Sequence, residues 1–148
     1  MKTKTGALKA VITSVVALMS VQAQADIIKN AVRLGAAEVL TPAYYVPLTT
    51  SGAQFVSFSG SGKFTIWYTA ECAASGYVDV DIRVDGILIG PTGANINDSF
   101  CDFNTRGAMH TVTGRTNSLV AGTHTVSILA RKTDGVAYLS DSSLLIGK

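Results

Sequence analysis

Along most of this chain apolar and polar residues alternate with a period of two. Lys63 to Glu71 sets Phe64, Ile66, Tyr68 and Ala70 against Thr65, Trp67 and Thr69, and Tyr77 to Val84 sets Val78, Val80, Ile82 and Val84 against Asp79, Asp81 and Arg83. Thr123 to Arg131 repeats the pattern, with Val126, Ile128 and Ala130 against Thr125, Ser127 and Arg131. Successive side chains of a strand point to opposite faces, so each segment is predicted to be a strand with one face buried and one wet. Asp85-Gly86 supplies the positive-φ pair of a type I′ turn and predicts a hairpin into Ile87-Leu88-Ile89; Asp134-Gly135 predicts a second hairpin into Val136 to Leu139. Gly60-Ser61-Gly62 and Leu119 to Gly122 read as turns, while Met109 to Thr116 and Ser142 to Ile146 read as further strands. The segment 26–41 fits neither period and reads as a first strand or a docked arm. No window is helical for long enough to matter, and about eight short strands with regular turn signals predict a single all-β domain, a β-sandwich or jelly roll.

The N-terminus departs from this pattern. Lys2, Lys4 and Lys9 precede an apolar run from Ala10 to Val21, which ends in Ala23-Gln24-Ala25. A charged start, a short apolar stretch and small residues at the first and third positions before a cut make residues 1–25 a cleavable signal peptide. The run falls short of the roughly 20 residues that cross a bilayer, so no permanent membrane anchor is expected after cleavage. The expected mature domain is 26–148, secreted or periplasmic. The full chain has a net charge of +2, but three of its twelve Lys and Arg and none of its ten Asp and Glu precede the cut, which leaves nine cations against ten anions. A near-neutral chain without a basic cluster is not expected to bind nucleic acid.

Export changes the reading of Cys72 and Cys101, the two cysteines of the chain. In an oxidising compartment such a pair forms a disulfide. Their spacing, with His110 and His124 elsewhere, matches no zinc pattern, and neither sulfur sits beside a basic residue that would make it a nucleophile.

The remaining chemistry is sparse. Asp79, Asp81 and Asp85 are weak candidates for a metal site, since calcium takes several carboxylate oxygens, but the row fails the EF-hand pattern and its alternation favours a solvated face beside Arg83. His124 falls on the side of Val126 and Ile128 and reads as a packing residue rather than a base. No G-x-S-x-G elbow and no phosphate loop occur. No cofactor is expected. Glu71, at a strand end beside Cys72, is the one acid outside the turns and the Asp79/Asp81 row that a glycosidase reading would use. Trp67, Tyr68, Tyr77 and Tyr138 are candidates for a patch that stacks sugars or binds a protein. Trp67 leads among them, because it faces away from Phe64, Ile66 and Tyr68, although core or interface packing on an edge strand covered by a neighbour is the favoured reading of this residue over ligand contact.

Val84-Asp85-Gly86, Phe100-Cys101 and the LVAGTHTV segment at Leu119 to Val126, followed by a Ser-Leu-Leu-Ile strand, resemble small secreted bacterial jelly-roll domains shaped like C1q/TNF heads. Bacterial immunoglobulin-like adhesin modules carry a similar ending. The resemblance implies a jelly roll ahead of an immunoglobulin-like sandwich, a homo-oligomer of the trimeric kind, and no catalytic residue. The expected function is non-catalytic extracellular recognition, adhesion or matrix structure through a glycan or protein ligand, with a carbohydrate-binding or carbohydrate-cleaving module as the alternative.

Overall fold

The computed structural model describes residues 26–35, 38–39, 44–90, 99–102 and 105–148. Residues 1–25, expected to be a signal peptide, and most of the segment 91–104 lie outside these residues. The described chain forms ten strands: β1 (Ile27–Arg33), β2 (Glu38–Val39), β3 (Tyr44–Tyr45), β4 (Phe55–Gly62), β5 (Thr65–Ala74), β6 (Val78–Val84), β7 (Ile87–Gly90), β8 (Thr105–Arg115), β9 (Leu119–Lys132) and β10 (Ala137–Gly147).

All pairings are antiparallel and they build two sheets. Sheet A runs β1-β10-β5-β8, with β2 continuing beside β10 where β1 stops; sheet B runs β3-β9-β6-β7, with β4 continuing beside β9. The β6–β7 connection stays within one sheet, whereas the links leaving β4, β5, β7, β8 and β9 pass from one sheet to the other. This winding is that of a jelly roll, an antiparallel two-sheet sandwich of two interlocked Greek keys.

Alternation decides what lies between the sheets. In β5 Ile66, Tyr68, Ala70 and Cys72 are buried while Thr65, Trp67, Thr69 and Glu71 are only half-buried. From sheet B, Val80, Ile82, Val84, Val126, Ile128, Val56 and Phe58 meet them, and Phe58 packs edge-on against Phe64 with ring centroids 4.9 Å apart. At one side the edge strands β7 and β8 close together at two glycines, where a Cβ on Gly90 would lie 3.1 Å from the Cα of Gly114. Larger residues there would hold the sheets open.

Cys72 and Cys101 are joined by a disulfide with their Cα atoms 6.4 Å apart. Cys72 belongs to the interior of sheet A, and Cys101 forms a bridge with Val78 where β7 has left the edge of sheet B. The bond therefore ties one sheet to the other.

Three turn readings need correction. Asp85-Gly86 is a tight hairpin, with φ of 50° and 80°, but Asp134-Gly135 is not. Only Gly135 has positive φ, and β9 pairs with β6 while β10 pairs with β5, so the chain is changing sheets there. The β5–β6 crossing runs beside it. Ser75 N–H donates to the Val136 carbonyl and Val136 N–H donates to the Ser75 hydroxyl, Thr133 N–H donates to the Tyr77 carbonyl, and a Cβ on Gly76 would lie 2.5 Å from the Asp134 carbonyl oxygen. Gly60 to Gly62 and Leu119 to Gly122 are likewise not turns; they pair with each other as the bulged ends of β4 and β9.

Candidate functional site

Strand β5 carries Trp67 to the outer face of sheet A. The strand is interior, hydrogen-bonded to β10 and β8, which corrects the expectation of an edge strand covered by a neighbour. Trp67 stands in register with Leu145 on one side and Thr113 on the other. Its indole reaches diagonally across β10, so that a Cβ on Gly147 would lie 3.0 and 3.3 Å from two carbons of its six-membered ring. Because Gly147 has no side chain, the ring can lie down against the sheet instead of standing off it. One edge of the indole is thus seated on backbone and the residue stays half-buried.

The surroundings of the ring are rich in hydroxyl groups. Thr69 and Thr111 share a hydrogen bond of 2.8 Å in the next cross-strand row, and the Ser140 hydroxyl donates to Glu71 Oε2 at 2.9 Å one row further on. Glu71 sits between Ser140 and Met109 in register, so neither directly opposed residue is a second carboxylate. These side chains are held by the interior strands of a sheet, which fixes their spacing.

Of the aromatic residues expected to form one patch, the fold brings together only part. Tyr68 is fully buried, its ring 5.9 Å from that of Phe100. Tyr77 is half-buried at the β5–β6 corner, away from the Trp67 face. Tyr138 shares the outer face of sheet A with Trp67 and is 36% exposed. On sheet B, Tyr45 and Phe55 are exposed with centroids 5.7 Å apart, but their planes are inclined by 43° and form no common shelf.

The acidic row is not a wet face. Asp81 is 1% exposed, lying beneath two arginines that both donate to its Oδ2, Arg83 at 3.2 Å and Arg131. The arginine stems cover the carboxylate while their heads stay nearer solvent, a burial that alternation alone does not reveal. Asp85, the first residue of the β6–β7 turn, accepts from Thr125 N–H at 2.8 Å on Oδ1 and meets His124 Nδ1 at 2.7 Å on Oδ2. The other imidazole nitrogen of His124, Nε2, lies 3.0 Å from the Val120 carbonyl. Both ring nitrogens face acceptors, an arrangement that only the doubly protonated ring satisfies. The hydrogen bond that His124 donates to Asp85, then that to the Val120 carbonyl, pushes the His124 pKa up; the hydrogen bond accepted from His124, then that from the Thr125 N–H, holds the Asp85 carboxyl down. His124 is buried on the core side as its alternation predicts, but its role in tying the hairpin to β9 depended on a strand register that sequence does not carry. Asp81 and Asp85 are thus engaged by side chains of the chain itself, and among the described residues no group of three His, Cys, Asp or Glu is placed to hold a metal ion.

No protein-family model matches the chain, and no curated protein matches it in sequence. Among solved structures it is similar to the CBM36-1 domain of a multidomain xylanase from the hindgut metagenome of Trinervitermes trinervoides, at 14% identity and a TM-score of 0.42 over 79% of this chain and 94% of that one. It is also similar to a carbohydrate-binding module of Cellvibrio mixtus lichenase 5A in complex with cellotriose, at 15% identity and a TM-score of 0.35 over 82% and 98%. A third is dimeric latent PorU from Porphyromonas gingivalis, at 18% identity and a TM-score of 0.42, where the match covers 84% of this chain and 13% of that one. The jelly-roll order rests on the pairings of this chain and not on these likenesses.

Proposed function

We propose that the chain is an exported, non-catalytic carbohydrate-binding module whose ligand lies on the outer face of sheet A. The observation that carries the reading is Trp67, laid against Gly147 on an interior strand and followed along the same face by the Thr69–Thr111 pair and, one row further on, the Ser140–Glu71 pair. A sugar ring presents C–H groups on its faces and hydroxyls around its rim. It is matched by a flat aromatic surface with hydrogen-bonding groups beside it. Glu71 accepts from ligand hydroxyls, and the threonine hydroxyls can donate or accept. Since these groups are fixed before the ligand arrives, little ordering entropy opposes binding. Hydrolysis of a glycosidic bond uses two carboxyl groups flanking it, whereas Glu71 is opposed by Ser140 and Met109; this favours binding over cleavage. Export rests on the charged and apolar sequence of residues 1–25.

A glycan array probed with the wild-type chain and with Trp67→Ala tests the reading. Removing a central aromatic anchor costs about 2 kcal/mol or more, roughly 30-fold in Kd. Trp67 is the single tryptophan of the chain, so its fluorescence also reports occupancy directly. Undiminished binding by a folded Trp67→Ala variant, or an array on which the wild type binds nothing, overturns the proposal.

A further inference from the structure

The same face continues well past Trp67. Trp67, Thr69, Glu71 and Ala73 project from it in turn along β5. Six residues at about 3.3 Å each place Ala73 about 20 Å from Trp67. Ala73 stands in register with Tyr138 of β10. Around this small residue the surface forms a shallow groove of about 320 Å³, with Tyr138 and Val136 on one side and Thr105 and Arg106 on the other. Tyr138 is 36% exposed and Val136 49% exposed. Its lining combines small residues, the Tyr138 ring and the polar Ser75, Thr105 and Arg106, a mixture of apolar surface and hydrogen-bonding groups that suits a second sugar ring. Between the two aromatic positions lie the hydrogen-bonded hydroxyls and the Glu71 carboxylate, with no bulky side chain from β5 across the path.

We propose that the ligand is the interior of an extended polysaccharide chain that lies along β5 and contacts Trp67 and Tyr138 at the same time. The inference rests on the carbohydrate-binding reading above and adds its substrate class: a polymer held at two separated aromatic subsites, not a single sugar or a chain end held in a closed pocket. The Trp67 seat is open at the surface, and the Tyr138 groove opens onto the same face, so a chain can run through both. Two sugars resting on platforms about 20 Å apart belong to one chain only if several residues lie between them. Linking two weak contacts in one ligand raises the overall affinity without any new contact.

The test is an array carrying each linkage as a length series, from trisaccharide to hexasaccharide and longer, probed with wild type, Trp67→Ala, Tyr138→Ala and Tyr138→Phe. Thermal melts of each variant confirm folding, which the exposure of Tyr138 should preserve. Wild-type affinity is expected to rise about tenfold from the shortest to the longer members of the preferred series, equivalent to about 1.4 kcal/mol. Tyr138→Ala is expected to remove that gain and leave trisaccharide binding unchanged; Tyr138→Phe, which keeps the ring, is expected to retain it. Trp67→Ala is expected to weaken binding about 30-fold or more at every length. Binding that depends on Trp67 but is equally tight at every length, or a length gain that survives Tyr138→Ala, overturns the extended-chain inference and leaves the carbohydrate-binding reading standing. Binding indifferent to Trp67, or no binding, overturns both.

Discussion

Opening the Cys72–Cys101 bond is expected to cost this domain a large part of its stability. The bond closes a loop with a sequence separation of 29 residues. The loop-closure relation gives about 12 cal/mol/K for a loop of about that length, or about 3.6 kcal/mol at 25 °C, supplied by restricting the unfolded chain. A domain of this kind has about 5–15 kcal/mol in total. Urea unfolding followed by tryptophan fluorescence measures the change. With a slope of about 1.5 kcal/mol/M, reduction by a thiol reagent should move the midpoint down by about 2 M. Replacing both residues by alanine should lower it further, because the sulfurs are buried at 0% and 1% exposure and removing each loses about 1 kcal/mol of packing. The order oxidised, reduced, double alanine is therefore fixed in advance. A reduced protein whose midpoint stays within about 0.5 M of the oxidised one would show that the staple contributes nothing to the unfolded ensemble, and the reasoning fails.

Two further predictions concern the paired charges of β6, its hairpin and β9. The raised pKa of His124 means that its contribution is complete below its ordinary value of 6.5 and is lost as pH rises through the raised one; the lowered pKa of Asp85 means that its contribution is present above 3.8 and lost as pH falls through its own value. Melting temperature should thus be highest between these two ordinary values and decline on the alkaline side, and His124→Gln should flatten that decline; an identical profile in variant and wild type refutes the link. Asp81→Ala leaves Arg83 and Arg131 without their shared acceptor, and since both arginines are partly exposed the cost is about 1–3 kcal/mol rather than that of a fully buried pair, read as a lower urea midpoint, with an unchanged midpoint counting against it.

Much of the fold was legible because a sandwich writes itself into sequence as a period of two. The inward and outward residues of β5 and the inward residues of β9 from His124 onward follow the alternation, while Ser127, expected on the wet face, is buried; the Asp85-Gly86 hairpin follows from local backbone chemistry alone. The failures share a cause. Asp134-Gly135 is the same dipeptide, but a dipeptide sets local φ and cannot say which sheet the next strand joins. Gly60 to Gly62 and Leu119 to Gly122 carry turn residues, but they face each other across a bulged ladder, which only the pairing of β4 with β9 reveals. The wet face predicted for Asp81 missed the two arginines that fold over it, one of them 50 residues away. Alternation alone turns Trp67 outward; its placement on an interior strand, its seat on Gly147 and its shared face with Tyr138 depend on a register set by β10, about 70 residues later.

That strand has a kinetic meaning as well. β10 lies in the middle of sheet A, between β1 and β5, and Lys148 N–H donates to the Asp26 carbonyl where β1 begins. Until the chain through Gly147 is available, β1 has no partner in its sheet and the inner face of β5–β8 is only half flanked. Pairings this distant in sequence place the domain among slow-folding β topologies, in the range of milliseconds to seconds. With this wiring sheet A is complete only once β10 lies between β1 and β5, two strands separated in sequence by more than thirty residues.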